Sequence, residues 1–169
     1  AVFDEKRYFV SGSSPGIFEV NGLRVALSVC EDIWHEKVVK QAQENGANLM
    51  LNINASPFHL RKIEDRKRLI SGHAAKYKLP IIYANQVGGQ DELVFDGTSM
   101  AMDGNGKQVL QLDKFKSDSR IISFVENDDV LITEDEMVIP EDNELEEVYQ
   151  ALVIGCLLYT SPSPRDGLL

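Results

Sequence analysis

Between Ile17 and Ala84 the chain alternates short apolar runs with segments whose apolar residues recur at helical spacing. "IFEV" (17–20) and "LRVALSV" (23–29) are strand-like, and Asn21-Gly22 between them is a two-residue hairpin signal. "HEKVVKQAQENGA" puts Val38, Val39 and Ala42 on one helical face, with Asn45-Gly46 as its stop. "NLMLNI" (48–53) is a short apolar run between turn residues, the pattern of a buried strand. Ile63, Ile70, Ala74 and Tyr77 keep helical spacing through a charged segment, and "PIIYA" (80–84) is the next strand. Strand, helix, strand, helix, strand predicts a parallel sheet with right-handed crossovers. Beyond it, "TSMAMD", "GNG" and "KQVLQLD" predict a hairpin, "RIISFV" (120–125) a further strand, and Glu144 to Gly155 a new helix. The result is a mixed sheet, with no internal repeat.

At 169 residues, 43% hydrophobic and 26% charged, the chain suits one globular domain rather than a disordered one. Its formal net charge of −10 is local. Eleven of the 27 acidic residues lie between Glu126 and Glu147, a stretch without Lys or Arg. The remainder carries 16 acids against 17 bases, so the charge says little about substrate. The acidic run reads as a solvated connector. No apolar run is long enough for a membrane span and no leader-like segment opens the chain, so a cytoplasmic location is expected, without membrane or nucleic-acid partners. The opening "AVFDEKRYF", without Met, reads as the middle of a longer protein.

Two cysteines, Cys30 and Cys156, make neither a disulfide framework nor a zinc set, and no metal is expected. "CLLYTSPSPRD" (156–166) resembles a translated sequencing-library adapter, which marks 156–169 as an expected non-native tail. Cys30 then remains. It ends a predicted strand, where open α/β sheets gather reactive groups and where backbone N–H groups can lower a thiol pKa or hold an oxyanion. Glu31 and Asp32 act in the opposite sense, since nearby anions disfavour a thiolate. Packing and nucleophilic roles both fit. His35, His59 and His73 are the candidate partners for a Cys–His pair, and none is marked by spacing.

"VALSVCEDIWHEKVV", "NINASPFHLRK", "IIYANQVGGQDELVFDG" and the leading "AVFDEKRYF" resemble the nitrilase-like glutaminase domain of glutamine-dependent NAD synthetases. The resemblance runs from Ala1 to Gly155. It implies an α/β fold, the nitrilase-like αββα sandwich with a mixed sheet, incomplete at the N-terminus, over residues 1–125. Residues 126–155 correspond to an acidic linker and the start of a synthetase domain. Cys30 matches the family's nucleophile, while the catalytic glutamate and lysine that serve it fall before Ala1. The backbone N–H of Glu31 would be an oxyanion donor and Glu5 would support the lysine. Ser56 and Lys62 would hold the amino-acid end of glutamine, with Asn54 and Phe58 shaping the pocket. Trp34 reads as core or interface. "GGQDELVFDG" corresponds to a loop near the site and domain contacts, without a catalytic role for Asp91 or Glu92.

The implied activity is hydrolysis of glutamine, supplying ammonia for ATP-dependent amidation of deamido-NAD to NAD. No cofactor is expected in this stretch; ATP and magnesium belong to the synthetase domain, and the complete protein is expected to be a homo-oligomer. A stand-alone carbon-nitrogen hydrolase and a non-catalytic nitrilase-like or flavodoxin-like binding module are the alternatives.

Overall fold

The computed structural model describes residues 7–10, 12, 14–128, 130–133 and 143–160. A hairpin of β1 (Gly16–Val20) and β2 (Leu23–Val29) turns at Asn21-Gly22, both at positive φ as that turn requires. A 3₁₀ helix (Cys30–Trp34) and α1 (Glu36–Glu44) lead to β3 (Leu49–Asn54). Next, α2 (Lys62–Tyr77) crosses to β4 (Ile81–Asn85). β5 (Val87–Gln90) and β6 (Leu93–Asp96) form a separate hairpin before β7 (Met100–Met102) and β8 (Gln108–Gln111). The main sheet has the order β1-β2-β3-β4-β7-β8, parallel from β2 to β4 and antiparallel elsewhere. The mixed sheet, both crossovers and the β7–β8 hairpin are as the pattern predicts.

Both helices cover one sheet face. Ala26, Met50, Ile81, Tyr83, Met100 and Met102 pack there against Val39, Ala42, Ile63, Ile70 and Ala74. The opposite face is also apolar, as parallel strands buried on two sides require. Among the described residues Phe18, Leu27, Val29 and Ile53 nevertheless remain 39–55% exposed there. The described residues thus form one helix layer and one sheet layer of the expected sandwich.

Three elements differ from expectation. Residues 121–124 are irregular, with Ile121 91% exposed. Propensity alone does not make a strand, and among the described residues this run pairs with neither edge of the main sheet. Extended structure resumes only in a small hairpin of β9 (Val125–Asn127) and β10 (Val130–Ile132). "GGQDELVFDG" is likewise mostly hairpin rather than loop: β5 and β6 pair through a turn in which Asp91 takes positive φ. Finally, α3 (Glu144–Thr160) runs past Gly155, and Thr160 Oγ1 donates to the Cys156 carbonyl. The acidic segment is not wholly solvated. Glu147 is buried against Lys114, and Glu144 accepts from Arg61 Nε at 2.8 Å. No described helix is long and apolar enough to cross a membrane.

Candidate active site

The turn after β2 is built by its own sequence. Asp32 carboxylate accepts the Val29 N–H at 3.0 Å, and Ile33 is fully buried, so the 3₁₀ helix is tied at one end and anchored in the core. Cys30 between them takes φ +47°, a left-handed conformation that a side chain enters only under constraint. It is partly buried at the C-terminal end of the parallel strands. A packing cysteine does not need this strain; a presented thiol is consistent with it.

The neighbouring strand ends are tied by amides. Asn52, fully buried, donates to Ser28 Oγ at 2.9 Å and makes a long contact, 3.5 Å, to the Cys30 carbonyl. Asn54 donates to Asn52 Oδ1 (2.7 Å) and reaches the Ala84 carbonyl (3.3 Å). Asn85 holds Ser56 at both backbone groups: its Oδ1 accepts the Ser56 N–H at 2.9 Å, and its Nδ2 donates to the Ser56 carbonyl at 3.3 Å.

Beneath Ser56 lies Arg66, 1% exposed. Its Nη1 donates to both oxygens of Asp96 (3.1 and 2.9 Å). Nη2 donates to Ser56 Oγ and Ser56 O (3.1 Å each) and to Pro57 O at 3.3 Å. Thr98 Oγ1 donates to Asp96 Oδ2 at 3.0 Å. Breaking such a buried pair on one side costs about 3–5 kcal/mol, because the other charge is stranded. Burial pushes the Tyr83 pKa up against the lowering influence of Arg66 and Ser56, so it stays a neutral phenol.

Lys62 opens α2 and donates to the Pro57 carbonyl at 3.4 Å. Desolvation lowers its pKa, and the Arg66 cation lowers it further; Asp96, Cys30 and Glu31 act in the opposite direction. Its ammonium therefore lies within electrostatic reach of Cys30 and Glu31. Cys30, Glu31, Ser56 and Lys62 are gathered at one end of the sheet.

Residues 1–134 match the carbon-nitrogen hydrolase family. The chain belongs to that family. Within it, the chain is similar to curated glutamine-dependent NAD(+) synthetases. It is 44% identical over 119 residues to that of Aquifex aeolicus (70% of this chain, 21% of the relative). It is 33% identical over 165 residues to that of Synechocystis (91% and 29%). The solved glutamine-dependent NAD+ synthetase of Acinetobacter baumannii, in complex with ADP, superposes with a TM-score of 0.83 at 38% identity, over 94% of this chain and 30% of that one. An amidase of the nitrilase superfamily from Nesterenkonia, solved as a mutant, superposes at 0.57 with 28% identity, over 64% of this chain and 41% of that one. The chain thus spans about a fifth to a third of the length of the curated NAD synthetases cited.

Of the other residues considered for this carbon-nitrogen hydrolase, Glu5 lies outside the described residues. Trp34 is 41% exposed rather than core. His59 is exposed beside the Leu60 carbonyl, and His73 hydrogen-bonds the Ile33 backbone. Asp91 and Glu92 face a groove of about 720 Å³ between β6 and α3, lined also by Phe58, Val94 and Leu152 but not by Cys30. Arg66, Tyr83, Asn85 and Asp96 were not among the residues expected at the site. Arg66 had a usable signal, standing three residues after Ile63 and four before Ile70 on the apolar face of α2. The other three became visible only when β4 and β6 brought them together.

Proposed function

We propose that this chain is part of a glutaminase domain in which Cys30 is the nucleophile, and that its ammonia feeds amidation of deamido-NAD. The observation that carries this reading is Cys30 in a left-handed turn at the strand ends, with Ser56 and Lys62 on the next crossover. The thiolate attacks the carboxamide carbon of glutamine, forming an S–C bond. The developing oxyanion is held by backbone N–H groups, that of Glu31 first among them. The C–N bond breaks as the amine takes a proton and leaves as ammonia. Water then hydrolyses the thioester to glutamate and frees the cysteine. The thiol proton goes to a glutamate base, assisted by a lysine, both supplied by sequence outside this stretch. ATP and magnesium would act in a synthetase domain whose start lies within residues 126–155, in the complete homo-oligomer.

Similarity to NAD synthetases extends over 94% of the chain in the Acinetobacter baumannii structure and that to the amidase over 64%, which supports the synthetase context over a stand-alone hydrolase. The test uses the full-length polypeptide carrying these residues, assayed with glutamine and with ammonium salts. Cys30→Ala should abolish glutamine-dependent NAD formation and spare ammonium-dependent formation. Lys62→Ala should raise the glutamine KM about five- to thirtyfold with little change in kcat, as expected when a partly exposed charged contact of about 1–2 kcal/mol is lost. Loss of both activities in a folded Cys30→Ala protein would refute the split-site reading.

A further inference from the structure

We infer that Arg66 is a positioning residue for the amino-acid end of the substrate, setting the Ser56 hydroxyl from beneath. The inference rests on the reading of Ser56 as a glutamine contact. A serine hydroxyl has one proton and two lone pairs. Arg66 Nη2 donates into Ser56 Oγ at 3.1 Å, so one lone pair is occupied by a cation and the O–H is polarised. The same Nη2 binds the Ser56 and Pro57 carbonyls, and Asn85 clamps the Ser56 N–H and C=O. Backbone and hydroxyl are thereby fixed together, in a residue only 6% exposed. The polarised proton, directed at the neighbouring Tyr83 oxygen when no substrate is bound, is the group suited to turn and donate to a carboxylate.

Asp96 explains why so strong a cation can lie under an anion pocket without becoming the binding site. Its carboxylate takes both contacts from Nη1 and is itself held by Thr98, so the Arg66 charge is compensated within the network. Direct attraction for the substrate carboxylate is left to Lys62, which contacts the neutral Pro57 carbonyl. Arg66 and Asp96 thus act as a rigid fork whose product is the orientation of Ser56. A lysine cannot replace the fork, because one compact ammonium cannot span Asp96, Ser56 and Pro57 together.

The full-length polypeptide is assayed as Ser56→Ala, Arg66→Lys and the double variant, with glutamine and with ammonium. Each single variant should raise the glutamine KM about tenfold, the scale of one hydrogen bond to a charged group, with kcat and ammonium-dependent activity retained. The double variant should be no worse than Ser56→Ala, since Arg66 acts through that hydroxyl. An unchanged KM in Arg66→Lys, or additive losses in the double variant, overturns the positioning role while leaving Ser56 in place. An unchanged KM in Ser56→Ala overturns the glutamine contact itself, and the positioning role falls with it. If Arg66→Lys does not fold, Thr98→Val carries the test: it removes the hydroxyl that holds Asp96 without stranding a charge, and a glutamine KM raised severalfold is expected. An unchanged KM in that variant overturns the inference.

Discussion

On α2, His73 is 9% exposed and hydrogen-bonds the backbone of Ile33, the residue that anchors the turn presenting Cys30. Burial lowers its pKa; the Ile33 bond and the Glu36 carboxylate pull it up, and the Lys76 ammonium pushes it down. The net shift is downward from the ordinary imidazole value of about 6.5. Between that value and the lower folded one, the unfolded chain binds a proton that the native state refuses. His73 therefore contributes stability that is fully present above about pH 6.5 and is lost as pH falls through the folded pKa. His73→Gln should flatten this part of the profile. The measurement is the slope of Tm against pH from 7 to 5 in parent and variant full-length proteins. Equal slopes would show that other groups carry the acid sensitivity.

At the scale of elements, the β7–β8 connection is locked onto α2 through Gly106. Its φ is +81°, and a Cβ there would meet the Ser71 carbonyl at 2.6 Å and Ala75 Cβ at 2.8 Å. Ser71 Oγ also donates to the Gly106 carbonyl at 2.6 Å. Gly106→Ala combines unfavourable backbone conformation with a clash against backbone, and should cost about 2–4 kcal/mol, read as a drop in Tm or denaturant midpoint. A change below about 0.5 kcal/mol would mean the connection is not held against α2. The "GNG" signal placed this turn correctly, as hydrophobic period placed α1, β3, α2 and β4, because period and turn chemistry are local. The misread elements depended on distant partners. Strand propensity at 120–124 was not enough to pair that run with either edge of the sheet, and the β5–β6 turn uses Asp91 rather than Gly at positive φ. The site divides in the same way. Cys30, Ser56 and Lys62 enter the candidate site through motif resemblance, whereas the Arg66–Asp96–Asn85 network joins residues up to 30 positions apart and has no local signature.

For the whole molecule, the sheet's second face is the decisive feature. Phe18, Val20, Leu27, Val29 and Ile53 are 39–55% exposed on adjacent strands. Contiguous apolar surface of this kind is normally covered by another layer or partner. The proposed mechanism also draws its glutamate base and its lysine from outside these 169 residues. Two consequences follow for the isolated chain. It should bind an apolar dye such as ANS strongly or self-associate in sedimentation, since water is a poor solvent for an uncovered sheet face. It should also release no ammonia from glutamine above background, because the Cys30 thiol would have neither its base nor the lysine beside it. The two readouts separate the causes of inactivity. A monomeric chain that binds no dye would show the face to be covered from within, and the layer argument would fail even if activity were absent. Ammonia release that disappears in Cys30→Ala would instead show that this stretch holds a sufficient base of its own. The mechanism would then have to be rebuilt around groups such as Glu31 and Lys62.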